Sequence, residues 1–370
     1  MNTKKIPKYL QLKNELLSWL QSGKLAPGKQ FPSENEIAEQ FGLSRQTVRQ
    51  TFGELEKDGW LERIQGKGTF ARNPQRWEGE QVKTIGIITT YISDYIFPHI
   101  VRGAEAELRS RGYRLLLSST DNNKEKEKDS LQLMMSQPLS GLIIEPTKSA
   151  EGNPNLGFFL DLQEKGIPYL MINEKYRELE CSCLKVDDEA GGYKAAAHLF
   201  ENGHRSIAGF FKTDDLQGVN RLKGFLAAHR DHGIAVASNR VITYTTEQKG
   251  NLPYREAVKL LSSSKDDRPS AFICYNDQLA VVLMEAAIQC GMSIPEDLSI
   301  VGFDDSSLAV ALGTKLTTLT HPKTLMGEIA ARQLIGMIED GKVYEDTVFQ
   351  PELIERGSVM HYAVGVDYVK

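Results

Sequence analysis

Glu174, Arg221, Asn276 and Asp304 are far apart in the sequence but share a chemistry. A carboxylate or amide can bridge neighbouring hydroxyls, an arginine fork donates several hydrogen bonds from one plane, and a ring such as Phe97 can stack on a weakly apolar ring face. That combination suits a sugar. A second set lies near the start of the chain, where Arg45, Gln46, Arg49 and Gln50 crowd one stretch and Lys67 sits between two glycines. Donors and cations of this kind meet phosphates and base edges in DNA. Plainer readings stand beside these: Asn276-Asp277 as a helix cap, Asp304-Asp305 as a turn, and Arg49 paired with a helix carboxylate.

Other chemistries find little support. There is no nucleophile elbow, phosphate-binding loop, HExxH or metal-ligand cluster, so neither an enzyme nor a metal or cofactor is expected. Gly66-x-Gly68-x-x-Ala71 has the letters of a dinucleotide fingerprint, but it leads into Arg-Asn-Pro rather than a helix. Cys181, Cys183, Cys274 and Cys290 lack zinc or redox spacing and read as reduced, structural thiols. His198 and His204, six apart, read as surface or core residues.

The elements that must position the first-mentioned sets can be read from periodicity. Leu12, Leu16, Trp19 and Leu20 recur at helical spacing over residues 8–21. Ser33 and Glu36 have capping-box spacing ahead of a second helix that buries Ile37, Ala38 and Phe41. After Gly42-Leu43, Ser44 can cap a third helix whose inner stripe is Val48, Phe52 and Leu55, leaving Arg45, Gln46 and Arg49 on other faces. Residues 60–64 and 69–71 flank a tight turn and predict a hairpin, the wing of a winged helix-turn-helix. Residues 73–81 have no period and read as a linker.

From Lys83 onward, apolar strand-like runs alternate with helical stretches, the pattern of a doubly wound parallel sheet. The rhythm restarts near Cys183, which predicts an α/β body of two sheets of similar length with a cleft between two lobes. Asp94, Glu145, Asn173, Asn276 and Asp304 then fall at C-terminal strand ends, where ligands bind in such folds.

Composition agrees with two or three folding units in 370 residues at ~150 per domain. Charge is split: residues 1–72 hold 12 Lys plus Arg against 8 Asp plus Glu, net +4, while the remainder holds 32 against 41, net −9. A basic head on an acidic body places a polyanion at the head. Without a signal-peptide core or a span of ~18 apolar residues, no membrane contact and a cytoplasmic location are expected.

Residues 8–71, through Pro32-Ser-Glu-Asn-Glu36, Leu43-Ser-Arg-Gln-Thr-Val-Arg49, Asp58-Gly59 and Gln65-Gly-Lys-Gly-Thr-Phe70, resemble the winged-helix domain of the GntR family of bacterial regulators. That resemblance implies contacts with double-stranded operator DNA at Arg45, Thr47 and Arg49, flanked by Ser44 and Gln46, at Gln65, Gly66 and Lys67 on the wing, and at phosphate near Lys8. At Asn35 many members carry Arg; Asn35 can donate a hydrogen bond but brings no charge. The body, through Asp188-x-x-Gly191-Gly192, Arg221-Leu-Lys-Gly224-Phe225, Asn276-Asp277 and Pro295-Glu-Asp-Leu-Ser-Ile-Val-Gly-Phe-Asp-Asp305, is similar to the effector region of LacI/GalR repressors. This implies sugar contacts at Asp94, Phe97, Asn173, Glu174, Arg221, Asn276, Asp304 and His321, with Glu145 and Lys148 beside them. Joined in one chain, and with Thr90-Tyr-Ile-Ser-Asp-Tyr-Ile-Phe-Pro98 and Glu145-Pro-Thr-Lys-Ser-Ala150, the two parts look like the Gram-positive family of arabinose-responsive repressors, which implies a homodimer and L-arabinose as effector. The implied domains are 1–72 for DNA, 73–81 as linker and 82–370 for effector binding and dimerisation, with another sugar or small metabolite as the alternative effector.

Overall fold

The computed structural model describes residues 7–21, 24–26, 28–64, 67–71, 83–93 and 96–362. The chain divides into two compact units, Met1–Val82 and Lys83–Lys370. The stretch 73–81 expected to link them lies outside the described residues, as do Gln65, Gly66 and Asp94.

In the first unit, helix α1 (Lys8–Gln21) packs on α3 (Arg45–Lys57), with α2 (Glu34–Phe41) between them in sequence. Leu12, Leu16, Trp19, Ile37, Val48, Phe52 and Leu55 form the buried core. Both ends of the Ser33 capping box are made: Ser33 N donates to Glu36 Oε2 at 2.7 Å and Glu36 N to Ser33 Oγ at 3.3 Å. Strands β1 (Leu61–Ile64) and β2 (Gly68–Ala71) pair antiparallel as the expected hairpin. Phe31 N donates to the Thr69 carbonyl, so the segment before α2 extends that hairpin.

The second unit contains two six-stranded sheets. One takes β3 (Thr84–Thr89), β4 (Arg114–Ser119), β5 (Leu139–Ile144), β6 (Tyr169–Ile172), β7 (Cys183–Val186) and β13 (Thr347–Phe349), all parallel, in the order β13-β7-β6-β5-β3-β4. The other takes β8 (Ile207–Lys212), β9 (Val241–Tyr244), β10 (Ala271–Cys274), β11 (Ser299–Asp304), β12 (Thr317–Thr320) and β14 (Leu353–Ile354), in the order β14-β12-β11-β10-β8-β9, with only the short edge strand β14 antiparallel. Helices cover these sheets: α4 (Phe97–Ser110), α5 (Lys124–Met135) and α6 (Leu156–Glu164) in the first lobe, and α7 (Asp188–Glu201), α8 (Leu216–Asp231), α9 (Leu252–Leu261), α10 (Asp277–Gln289) and the short α11 (Leu308–Ala311) in the second. Helix α12 (Lys323–Asp340) returns to pack on α4.

The expected restart near Cys183 is corrected here. Strand β7 pairs with β6 in the first sheet, and the second lobe starts only at α7. Among the described residues the chain crosses between lobes three times: between β7 and α7, between β12 and α12, and between β13 and β14. Local alternation marks a strand, but its sheet is chosen by non-local pairing. Among the described residues, no helix is long and apolar enough to cross a membrane.

Candidate functional site

Between the two lobes of the second unit lies a cavity of about 280 Å³, at the small end of the range for ligand pockets. Its walls come from strand ends and helix starts. Glu145 follows β5, Asn173 follows β6, Asn276 follows β10, Asp304 ends β11 and His321 follows β12; all five line the cavity, with Phe97 at the start of α4 and Arg221 on α8. Every described non-glycine residue with positive φ also sits at the C-terminal end of a strand or within four residues past it on this side: Asp121, Asn122, Lys148, Asn173 (φ 66), Asp304 (φ 99) and Asp305. Asp and Asn tolerate that region better than most residues, yet Asp304 lies well off its minimum, a strain of the kind that gathers at binding sites.

Arg221 anchors the second-lobe wall. Its Nε donates to Asp188 Oδ1 at 2.7 Å, its Nη1 to the Tyr275 carbonyl at 2.5 Å, and its Nη2 lies 3.7 Å from Asp304 Oδ1. The guanidinium also stacks on Phe303, with its carbon 3.6 Å from the ring centroid. Burial opposes its charge, but Asp188 and Asp304 overcome that and hold it firmly protonated. Lys212 is neutralised in the same way by Asp215 at 2.7 Å and Asp214 at 3.1 Å, and Asp215 also accepts from the Tyr275 hydroxyl. Arg221 and Lys212 are therefore matched by carboxylates of their own lobe, while Lys249, also in the lining, lies over the Tyr91 ring at 4.3 Å.

On the first-lobe wall, Glu145 accepts from Thr90 N at 2.9 Å and from the Thr90 hydroxyl, and its other oxygen accepts from Asn173 Nδ2 at 2.7 Å. Burial pushes its carboxyl up to about 7. His321 is buried and neutral, its pKa pushed down to about 4 by desolvation. Tyr91 and Phe97 add an aromatic corner, with ring centroids 6.3 Å apart. The cavity thus offers hydrogen-bonding groups from both lobes beside aromatic faces.

Two expected residues stand outside the lining. Glu174 accepts from Asn220 Nδ2 at 2.9 Å and pairs with Lys185 at 3.3 Å, joining the lobes. Lys148 reaches Glu247 across the cleft at 2.6 Å. Asn276 both caps α10, accepting from Leu279 N, and lines the cavity, so the plainer reading and the functional one hold together. Asp188, Lys212, Asp215, Tyr244 and Tyr275 were missed. Lys212 and Asp215 follow the same strand-end rule that singled out Glu145, at the end of β8.

In the first unit, Asn35, Arg45, Gln46 and Arg49 line one open groove together with Arg63 from the wing, and all four are exposed. Ser44 caps α3, and its hydroxyl lies 2.9 Å from that of Thr47. Arg49 does pair with a carboxylate, Glu34 at 3.3 Å, which also holds Arg63 at 3.1 Å. The Arg49 side chain remains 74% exposed, leaving the pair easily exchanged for phosphate. Lys67 stands exposed at the hairpin end, its carbonyl accepting from Gln30, while Lys8 opens α1 outside the groove.

Comparison with known proteins converges on one family. Residues 8–71 match bacterial regulatory proteins of the gntR family, and residues 196–359 match the periplasmic binding protein-like domain. The arabinose metabolism transcriptional repressor of Geobacillus stearothermophilus is 57% identical over 360 residues, covering 97% of this chain and 99% of that protein. The repressor of the same name from Halalkalibacterium halodurans is 44% identical over 95% of this chain and 96% of that protein. A LacI family transcriptional regulator from Enterococcus faecium, solved with bound ribose, superposes with a TM-score of 0.65 at 26% identity, over 76% of this chain and all of that one. Together with the head and cleft just described, these matches place the chain in the family of arabinose metabolism transcriptional repressors: it is a DNA-binding regulator and not an enzyme.

Proposed function

We propose that the chain represses transcription as a homodimer on operator DNA in the cytoplasm and that L-arabinose releases it. The observation that carries this reading is the cavity itself, small, polar and aromatic, walled by both lobes. Its contents suit a polyol, since Arg221 and Lys212 are already balanced by Asp188, Asp304, Asp214 and Asp215, while the exposed Lys249 lies over the Tyr91 ring. The ribose-bound relative has the same body fold, and the names of the nearer relatives specify arabinose. Phe97, Asn173, Arg221, Asn276, Asp304 and His321 are proposed as the effector contacts, with Asp94 beside them.

A dimer sets two heads at the spacing of two half-sites. Arg45, Gln46, Thr47 and Arg49 are proposed to read the major groove from a helix capped by Ser44, while Asn35 and Lys8 support it and Gln65, Gly66 and Lys67 approach the adjacent groove. Sugar that bridges both lobes biases how they sit and thereby the heads. Coupling of ~1–3 kcal/mol is typical, and it is reciprocal, so operator must weaken sugar binding equally.

A thermal-shift panel tests the effector. At 100 times its dissociation constant, a ligand stabilises the folded state by about 2.7 kcal/mol, a shift of several degrees for a unit of this size. L-arabinose should give the largest shift among L-arabinose, D-ribose, D-xylose and D-glucose. A larger shift from any of the others would move the assignment to that sugar.

A further inference from the structure

His321 is buried in the cavity wall, and its Nδ1 has no hydrogen-bond partner among the described residues. Its other nitrogen is committed, with Nε2 3.0 Å from Asn173 Oδ1. The chain of contacts behind it has a defined polarity. The backbone N–H of Thr90 can only donate, so Glu145 Oε2 must accept; the Thr90 hydroxyl joins it on the same oxygen. Above about pH 7, where its carboxyl is ionised, Glu145 accepts at Oε1 as well as at Oε2, which turns the NH₂ end of Asn173 toward it at 2.7 Å. Asn173 must then face His321 with its oxygen. An amide oxygen only accepts, so the hydrogen of neutral His321 sits on Nε2 and Nδ1 is left with a lone pair. The positive φ of Asn173 places its side chain between Glu145 and His321.

We propose that Glu145 is a positioning residue rather than a sugar ligand: through Asn173 it fixes the Nε2–H tautomer of His321, so that Nδ1 presents a hydrogen-bond acceptor to the effector. This deepens the effector reading above and rests on it. Both Glu145 oxygens are used by protein donors, and the specificity they impose is displaced to the imidazole. A hydroxyl, which can donate, is admitted opposite Nδ1. A ring position bearing a carbonyl, a carboxylate or no substituent leaves the lone pair unpaired or repelled, so the site selects the intact neutral polyol over its oxidised or deoxy forms.

The isosteric change Glu145→Gln tests this. Thr90 N–H still demands an oxygen, so the new NH₂ must face Asn173, which turns its own oxygen to meet it and its NH₂ toward His321. Nε2 must then accept, and the proton moves to Nδ1. The measurement is ¹⁵N NMR of the full-length protein labelled at histidine, at pH 8.5 and without sugar, with His321 assigned by its loss in His321→Gln. The parent should show Nε2–H; Glu145→Gln should show Nδ1–H and at least tenfold weaker binding of L-arabinose. Asn173→Gly, which accepts the positive φ while cutting the relay, should show both tautomers. A sugar-free parent in the Nδ1–H form, or an unchanged tautomer in either relay variant, would overturn the proposal whether or not sugar binds. Failure of the parent to bind any sugar would instead remove the effector reading and leave the tautomer result standing.

Discussion

Asp304 carries a positive φ, a place beside Arg221 and a face on the cavity in a single residue, and each follows from its position at the end of β11. Lys323 Nζ binds its carbonyl at 2.5 Å and that of Asp305 at 3.0 Å, which steadies the strained pair. Asp304→Asn keeps the shape and loses the charge. It should weaken sugar binding by ~1–3 kcal/mol, read by calorimetric titration, because an acceptor oxygen in a closed cleft is replaced by a donor. Arg221→Ala is a poorer probe: it strands buried Asp188, and breaking a buried pair costs ~3–5 kcal/mol of stability. Glu145 gives a pH test. Its folded pKa is raised from 4.5 to about 7, so the stability linked to its proton is present below 4.5 and lost as pH rises through 7. Glu145→Gln escapes that loss, and the stability difference between variant and parent should move in favour of the variant by on the order of 3 kcal/mol from pH 5 to pH 8.5, measured by urea unfolding. The strand-end rule made Glu145, Asn173, Asn276 and Asp304 legible in the sequence. Lys212 and Asp215 obey the same rule at the end of β8 but were passed over, because Lys212-Thr-Asp-Asp215 looks the same in sequence whether it is solvated or buried.

Element boundaries were read closely where periodicity is strong. Helix α1 matches residues 8–21, and α3 follows its predicted cap at Ser44 directly. The C-terminal strands were illegible for a physical reason: β13 is three residues long with Val348 45% exposed, and β14 is two, so neither shows an alternating apolar face. The glycines of the Asp188-x-x-Gly191-Gly192 and Arg221-x-x-Gly224 motifs now have a packing role. Helices α7 and α8 touch backbone to backbone, such that a Cβ on Gly192 would overlap the Arg221 carbonyl and one on Gly224 would overlap that of Glu189. Gly192→Ala must push α8 away and Arg221 with it. It should cost ~1–3 kcal/mol of stability in a urea melt and weaken sugar binding as well, whereas Gly157→Ala, in helix α6 with open space around it, should leave sugar binding unchanged and gain up to ~1 kcal/mol of stability.

At the scale of the whole body, the rim of the cleft is tied by contacts that do not line the cavity, Lys148 to Glu247 at 2.6 Å, Leu216 N to Ser149 Oγ at 2.8 Å and Asn220 to Glu174 at 2.9 Å, and by one that does, Asn122 to Thr246 at 2.6 Å. Sequence reasoning placed Lys148 and Glu174 on the sugar, and the structure places them between lobes. Apparent affinity scales with the closed fraction, so Lys148→Ala should weaken sugar binding while removing no group from the cavity wall, and the loss should shrink at high salt in the parent-to-variant comparison. Repression that answers to sugar requires coupling of this cleft to DNA. Its most direct test is fluorescence anisotropy of labelled operator bound to the full-length protein, titrated with L-arabinose. Sugar should release the parent, and Asp304→Asn should bind sugar-free operator as tightly as the parent but need roughly fivefold or more sugar for release, the equivalent of ~1 kcal/mol or more. Operator binding by the parent that is unmoved by L-arabinose, or release of Asp304→Asn at the parent's sugar concentration, would contradict it.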